Sequence, residues 1–116
     1  MDNFRSLQVW QKSIDLAVII YKVTSKFPKD ELYGITSQMR RCSVSISSNI
    51  AEGAGRNSKQ DFRRFLNIAY SSACELETQL IISNKLKYVT GKQNKMIFNL
   101  IEEIQKMIYG LTKTLK

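Results

Sequence analysis

Residues 39–64 read MRRCSVSISSNIAEGAGRNSKQDFRR and contain the end of one predicted helix, a turn with two glycines and the start of the next helix. Before the turn, apolar residues recur every three or four positions, which is typical of one buried helix face. Gly53 is predicted as the C′ residue, because glycine readily adopts the left-handed conformation that closes a helix. Ser58 is predicted as the next N-cap, with Asp61 three residues later as in a capping box. Such a short connection predicts two neighbouring antiparallel helices.

The same stretch concentrates basic side chains. Six of them, against the two carboxylates Glu52 and Asp61, are candidate nucleic-acid-binding residues: Arg40, Arg41, Arg56, Lys59, Arg63 and Arg64. An arginine guanidinium suits this role because it can bond two phosphate oxygens at once. The competing interpretation is pairing within the chain, for example of Arg56 with Glu52 across the turn. Of these six residues, we expect Lys59, Arg63 and Arg64 to face solvent.

Four residues of the stretch are predicted to shape the helix corner: Asn49, Glu52, Gly53 and Gly55. The two glycines beside a helix start also resemble an anion-binding loop, because free amides and the positive end of the helix dipole lie nearby. The motif follows a helix rather than a strand, so it is not a nucleotide-binding fingerprint. A corner built with glycine for backbone reasons is the favoured interpretation.

The rest of the chain shows the same helical spacing. Helices are predicted over residues 7–27, 35–52, 59–86 and 91–115. Ser6 is the expected N-cap of the first helix and Pro28 is expected to end it, while Thr90 and Gln93 form a capping-box pattern before the last helix. The sequence therefore predicts one domain over residues 1–116, an all-α, up-down-up-down antiparallel four-helix bundle.

The first predicted helix is unusually apolar, with an apolar arc of roughly 260° at 100° per residue. A surface helix needs an apolar stripe of only about 100°. A helix with two apolar sides is either central within its own bundle or in contact with another copy of the chain. We favour the second interpretation and predict a homo-oligomer.

The composition limits the classes of function. A net charge of +8 over 116 residues indicates an anionic partner (nucleic acid, a membrane surface or an acidic protein), or a basic protein without such a partner. The chain has no His and two Cys, and it carries no nucleotide-binding or Cys-x-x-Cys motif. We therefore predict no enzymatic activity, no cofactor and no metal. Without a signal-peptide pattern or a long apolar run, the expected location is the cytoplasm, with no membrane partner.

The string RRCSVSISSNIAEGAGR, residues 40–56, resembles the bacterial four-helix bundle protein family, also called the 23S ribosomal RNA intervening-sequence protein family. The similarity covers nearly the whole chain and includes LQVWQ (7–11), FPKDELYG (27–34), Gln38, FLNIA (65–69) and ELE (75–77). The family often has Pro where Ser47 stands and Gly where Ser71 stands. Both departures are compatible with the same helices.

The resemblance implies a cytoplasmic bacterial bundle that assembles as a ring-like homopentamer. A related member, the accessory protein of diversity-generating retroelements, is a basic pentamer thought to bind nucleic acid and a reverse transcriptase, and many members are encoded within insertions in large-subunit ribosomal RNA genes. The motif residues that the resemblance transfers are Arg40, Arg41, Asn49, Glu52, Gly53 and Arg56. The leading hypothesis is a non-enzymatic, oligomeric nucleic-acid-binding protein, with RNA preferred over DNA only through the family. The alternative is a homo-oligomeric protein-interaction scaffold.

Overall fold

A computed structural model describes residues 3–116, which form four α-helices and no strand. The helices are α1 (Gln8–Thr24), α2 (Ser37–Ala54), α3 (Lys59–Lys85) and α4 (Gly91–Lys113). Each helix packs against the next one along the chain, and α1 also packs against α4. The predicted all-α, up-down-up-down bundle is confirmed. The bundle is elongated, measuring 43 × 23 × 20 Å.

The core runs along the bundle axis and receives one apolar stripe from each helix. Its largest fully buried side chains are Leu16, Ile20, Met39, Ile46, Ile50, Leu66, Leu76, Leu80, Ile97, Ile101, Ile104 and Ile108. Burying one such side chain contributes about 1.5–3 kcal/mol relative to leaving it in water. This burial compensates for the weak helix propensity of the Ser-rich middle of α2. No helix in the described part of the chain is both long and apolar enough to cross a membrane.

Two predicted helix starts are confirmed. The Ser58 hydroxyl accepts a hydrogen bond from the Asp61 amide at 3.0 Å and caps α3. Thr90 and Gln93 form the reciprocal capping box of α4, with bonds of 2.9 and 3.0 Å. Ser6 is not the cap of α1, because it lies in a short 3₁₀ turn over Phe4–Ser6 that Asn3 caps.

The first helix ends earlier than predicted, at Thr24 rather than Phe27. The amides of Lys26 and Phe27 bond to carbonyls three residues back, which tightens the chain into a turn. This happens because the residue before a proline is disfavoured in the α conformation, so the helix closes before Pro28 is reached. A 3₁₀ turn over Lys29–Glu31 and a kinked turn over Leu32–Thr36, in which Gly34 is non-helical at φ −113° and ψ −120°, then lead into α2.

The prediction that Gly53 ends α2 in the left-handed conformation is wrong. Gly53 is buried inside the last turn of the helix, which continues to Ala54 with Gly55 as its C-cap at φ −83°. A Cβ atom on Gly53 would lie 2.7 Å from the Cβ of Phe65 and 3.0 Å from Cδ1 of Phe62. The glycine is therefore required by the close approach of α2 and α3, and not by a positive φ.

Candidate nucleic-acid interface

The α2–α3 corner holds Arg56 in the pair that the sequence predicted. Its Nη2 lies 3.0 Å from Oε2 of Glu52, and its guanidinium lies 4.8 Å from the centre of the Phe65 ring. Both members of the pair are about half exposed. Exposed pairs of this kind contribute at most about 1 kcal/mol. Arg56 can therefore exchange Glu52 for an external anion at small cost.

Lys59 and Arg64 are exposed at the start of α3, as predicted. The Nε of Arg64 lies 3.9 Å from a carboxylate oxygen of Asp61, and its guanidinium lies 4.5 Å from the centre of the Phe65 ring. Phe65 thus orients Arg64 as well as Arg56. A cation positioned over an aromatic face gains roughly 0.5–1 kcal/mol at exposed sites, which holds both guanidinium groups at the surface of the corner.

The prediction that Arg63 faces solvent is wrong. Arg63 is half-buried, and its Nη1 donates a hydrogen bond to the backbone carbonyl of Leu115, beyond the end of α4. Leu115 follows the C-cap of α4, and a positive charge near this end of the helix is favourable for the helix dipole. Arg63 is therefore first a structural link between α3 and α4.

Arg40 and Arg41 lie near the opposite end of α2. Arg40 donates to Oγ1 of Thr24 at 2.9 Å and to the carbonyl of Tyr21 at 3.3 Å, so it caps the end of α1. Arg41 is exposed and lines a surface cavity with Glu75. Along α2, at 1.5 Å per residue, these arginines lie about 21 Å from the corner. The six predicted residues do not form one surface.

The bundle topology adds basic residues to the corner that the linear sequence did not indicate. Because α1 begins and α4 ends beside this corner, the following side chains share one end of the molecule, called here the arginine-rich end: Arg5, Arg56, Lys59, Arg63, Arg64, Lys113 and Lys116. The contact of Arg63 with Leu115 joins the part of this surface that lies on α3 to the part at the end of α4. The up-down order of the helices was the signal that could have identified these lysines.

The opposite end of the bundle is also basic. This lysine-rich end carries nine basic side chains against Asp30 and Glu31: Lys22, Lys26, Lys29, Arg40, Arg41, Lys85, Lys87, Lys92 and Lys95. The middle of the bundle is acidic, with five carboxylates (Asp15, Glu75, Glu77, Glu102 and Glu103) against two lysines. The net charge of +8 is therefore divided between two basic ends.

Asn49 makes structural contacts within the bundle, and neither the buried Cys42 nor the exposed Cys74 is an activated thiol. Nδ2 of Asn49 donates to the carbonyl and the hydroxyl of Ser45, at 2.8 and 3.0 Å, and Ser45 in turn bonds to the Ser72 hydroxyl of α3 at 2.9 Å. Burial, followed by the Glu75 carboxylate, raises the pKa of Cys42 to about 11. Burial and Glu77 also raise the pKa of Cys74. Both thiols are therefore protonated and weakly nucleophilic near neutral pH.

The fold and its charge distribution define the class as a basic, all-α four-helix-bundle protein. Residues 5–110 match the family model of the 23S rRNA-intervening sequence protein, and the chain belongs to this family. A crystal structure from Bacteroides thetaiotaomicron, of a protein with unknown function from the S23 ribosomal protein family, is 32% identical and has a TM-score of 0.82. The match covers 90% of this chain and 98% of that one. Comparison with curated proteins gives no match.

Proposed function

We propose that this protein is a non-enzymatic, oligomeric RNA-binding protein of the cytoplasm that contacts phosphates with its arginine-rich end. The observation that carries the proposal is the convergence of seven basic side chains from three parts of the chain on one end of the bundle. The two carboxylates on α2 and α3 at this end, Glu52 and Asp61, are already paired with arginines. RNA is preferred to DNA only through the description of the matching family, 23S rRNA-intervening sequence protein.

Phosphate binding at this end would replace two exposed ion pairs within the chain. The pairs of Arg56 with Glu52 and of Arg64 with Asp61 are exposed. A guanidinium forms charge-assisted bonds of the same class with a carboxylate and with a phosphate, so exchanging these exposed partners costs little. Each phosphate neutralised also releases condensed counterions from the nucleic acid, which makes binding dependent on salt.

Assembly into a ring-like homopentamer is part of the proposal. Four apolar side chains on the outer face of α1 and α2 are between 37% and 47% exposed: Ile14, Val18, Tyr21 and Val44. Contact between copies would remove these side chains from water. Repeating the arginine-rich end around a ring would convert weak single-site binding into strong multivalent binding.

The test compares RNA binding by matched double variants at opposite ends of the bundle. Lys59→Ala with Arg64→Ala removes two exposed charges from the arginine-rich end and leaves the structural residue Arg63 in place. The expected result is weaker binding and a salt dependence whose slope is smaller by about 0.7 per lost phosphate contact for single-stranded RNA. Fluorescence anisotropy between about 50 and 200 mM salt measures both quantities.

The matched control, Lys85→Ala with Lys87→Ala, removes the same charge from the lysine-rich end. The proposal is wrong if this control reduces the slope equally, or if wild-type binding does not depend on salt. Light scattering on the unliganded protein measures the number of subunits. A defined oligomer without RNA binding would favour the protein-interaction scaffold instead.

A further inference from the structure

The groove between α3 and α4, close to the arginine-rich end, contains a cavity of about 290 Å³. Its walls are formed by Asn67, Tyr70, Ile108, Tyr109 and Thr112. Ile108 is buried and forms an apolar floor, whereas Tyr70 is 39% and Tyr109 58% exposed. Two exposed aromatic rings therefore line one small surface cavity.

Charged groups surround this pair of rings. Nζ of Lys113 lies 4.8 Å from the centre of the Tyr109 ring. Lys106 and the carboxylate of Glu102 line a second cavity of about 340 Å³, which shares both tyrosines with the first. Lysines beside aromatic rings form the combination used to bind single strands, because cations contact phosphates while rings stack on bases. A carboxylate can accept a hydrogen bond from a base amino group.

The size of the first cavity limits what can enter it. Pockets for drug-sized ligands usually measure about 300–1,000 Å³, so this cavity suits one planar ring system. Bases within a duplex are stacked and paired and cannot reach it, whereas unpaired bases in loops and single strands are commonly stacked on aromatic side chains. The exposed Asn67 carboxamide at the rim can bond to the edge of such a base, as Asn does with adenine.

We propose that this groove, called here the tyrosine groove, binds an unpaired nucleobase of a single-stranded nucleic acid between Tyr70 and Tyr109. This inference rests on the proposed function and names the form of nucleic acid that the protein prefers. Tyr70 lies seven residues after Arg63, or about 10 Å along α3 at 1.5 Å per residue. A strand whose phosphates contact the arginine-rich end therefore reaches the groove within a few nucleotides.

The first test measures the affinity for a single-stranded RNA oligonucleotide and for a duplex across the same salt range. Tyr70→Ala and Tyr109→Ala are each expected to weaken single-strand binding about 5- to 100-fold. Neither substitution is expected to change the slope of affinity against salt concentration, because a tyrosine side chain does not neutralise a phosphate. Tyr70→Phe and Tyr109→Phe keep the stacking face, so they are expected to bind within about twofold of the wild type.

Ile68→Ala provides the matched control. Ile68 is 39% exposed, as is Tyr70, but it lies two residues away on α3 and faces about 200° from it. This variant is expected to bind as the wild type does. Light scattering on every variant checks that the oligomer is retained. A loss of subunits in the tyrosine variants would mean that another copy covers the groove, which would overturn the inference.

A second test uses an uncharged nucleoside and does not depend on the arginine-rich end. With ring-labelled tyrosine, NMR follows the five tyrosines of the chain, assigned through single Tyr→Phe variants. Millimolar adenosine is expected to shift Tyr70 and Tyr109 and to leave Tyr33 unchanged, although Tyr33 is 91% exposed.

The two proposals fail differently. Unchanged affinity in the Ala variants, equal shifts at Tyr33 or no shift at all would overturn the tyrosine groove, even if the salt test succeeds. If adenosine binds in the groove but the RNA affinity is unchanged in the Lys59→Ala, Arg64→Ala variant, only the role of the arginine-rich end is overturned.

Discussion

The two ends of α2 are joined to their neighbours in opposite ways. At its C-terminal end α2 approaches α3 so closely that a Cβ on Gly53 would meet the rigid Cβ of Phe65 at 2.7 Å. At its N-terminal end a turn kinked at Gly34 joins α2 to the preceding connector, and a Cβ on Gly34 would meet only the carboxylate of Glu31, with Oε1 also at 2.7 Å. The same distance has different consequences, because a carboxylate can move and a packed helix cannot.

This difference indicates where the molecule is rigid. The α2–α3 junction is fixed by backbone packing, and it carries Arg56 and Arg64 above the same Phe65 ring. The α1–α2 connector is held by side-chain bonds such as that of the Tyr88 hydroxyl to Glu31, at 2.8 Å. The guanidinium groups proposed to bind phosphate therefore lie on the rigid junction.

The largest expected effect is that of Gly53→Ala. The added methyl group forces α2 and α3 apart, and we expect a loss of about 2–3 kcal/mol in the free energy of unfolding, the upper part of the range for overpacked cores. Urea denaturation measures this loss. The matched control is Gly110→Ala in α4, where a Cβ meets nothing within 4 Å. That change should stabilise the protein by about 0.5–1 kcal/mol. Equal effects at both glycines would contradict the packing role of Gly53.

A smaller effect is expected from Gly34→Ala. The Glu31 carboxylate has to turn away, which weakens its bond to Tyr88 but moves no helix. We expect a loss below about 1 kcal/mol, because this part-buried bond is weakened rather than removed and a typical hydrogen bond contributes about 0.5–1.5 kcal/mol. Urea denaturation of the Gly34→Ala and Gly53→Ala variants measures the ratio of their two losses in the free energy of unfolding. A loss at Gly34 as large as that at Gly53 would mean that the two ends of α2 are equally rigid.

The smallest effect concerns pH at the connector. The hydrogen bond to Glu31, followed by partial burial, raises the pKa of Tyr88 above its ordinary value of 10.0. The stabilisation from the protonated phenol is therefore complete below about pH 10 and is lost as the pH rises through the folded-state pKa. The stability difference between the wild type and Tyr88→Phe should shrink in this range. A difference independent of pH up to the alkaline limit of folding would contradict the role of this bond.

Short-range patterns in the sequence predicted the helices well. The caps Ser58 and Thr90 were identified because their partners stand only three residues away. The pair of Arg56 with Glu52 was predictable for the same reason, since residues four apart are neighbours on a helix surface. Spacing of three and four also predicted the buried stripes and, from them, the four-helix fold.

Features that depend on contacts between residues far apart in the chain could not be predicted from the sequence. A glycine at a helix end has two common explanations, and only the position of Phe65 shows that Gly53 serves close packing. Arg63 finds its partner carbonyl 52 residues away, and Arg40 caps a helix that ended 16 residues earlier. Charge counted along the chain also overlooked the lysine-rich end, because its residues come from four separate segments.

The order of charge along the bundle, basic at both ends and acidic in the middle, makes the molecule an electric quadrupole. Two copies placed side by side in register bring like charges together, whereas a shift of half a length places an end against a middle. Salt screens such forces beyond about 10 Å at 0.1 M. Added salt would therefore ease the assembly of a side-by-side ring while weakening its hold on phosphates.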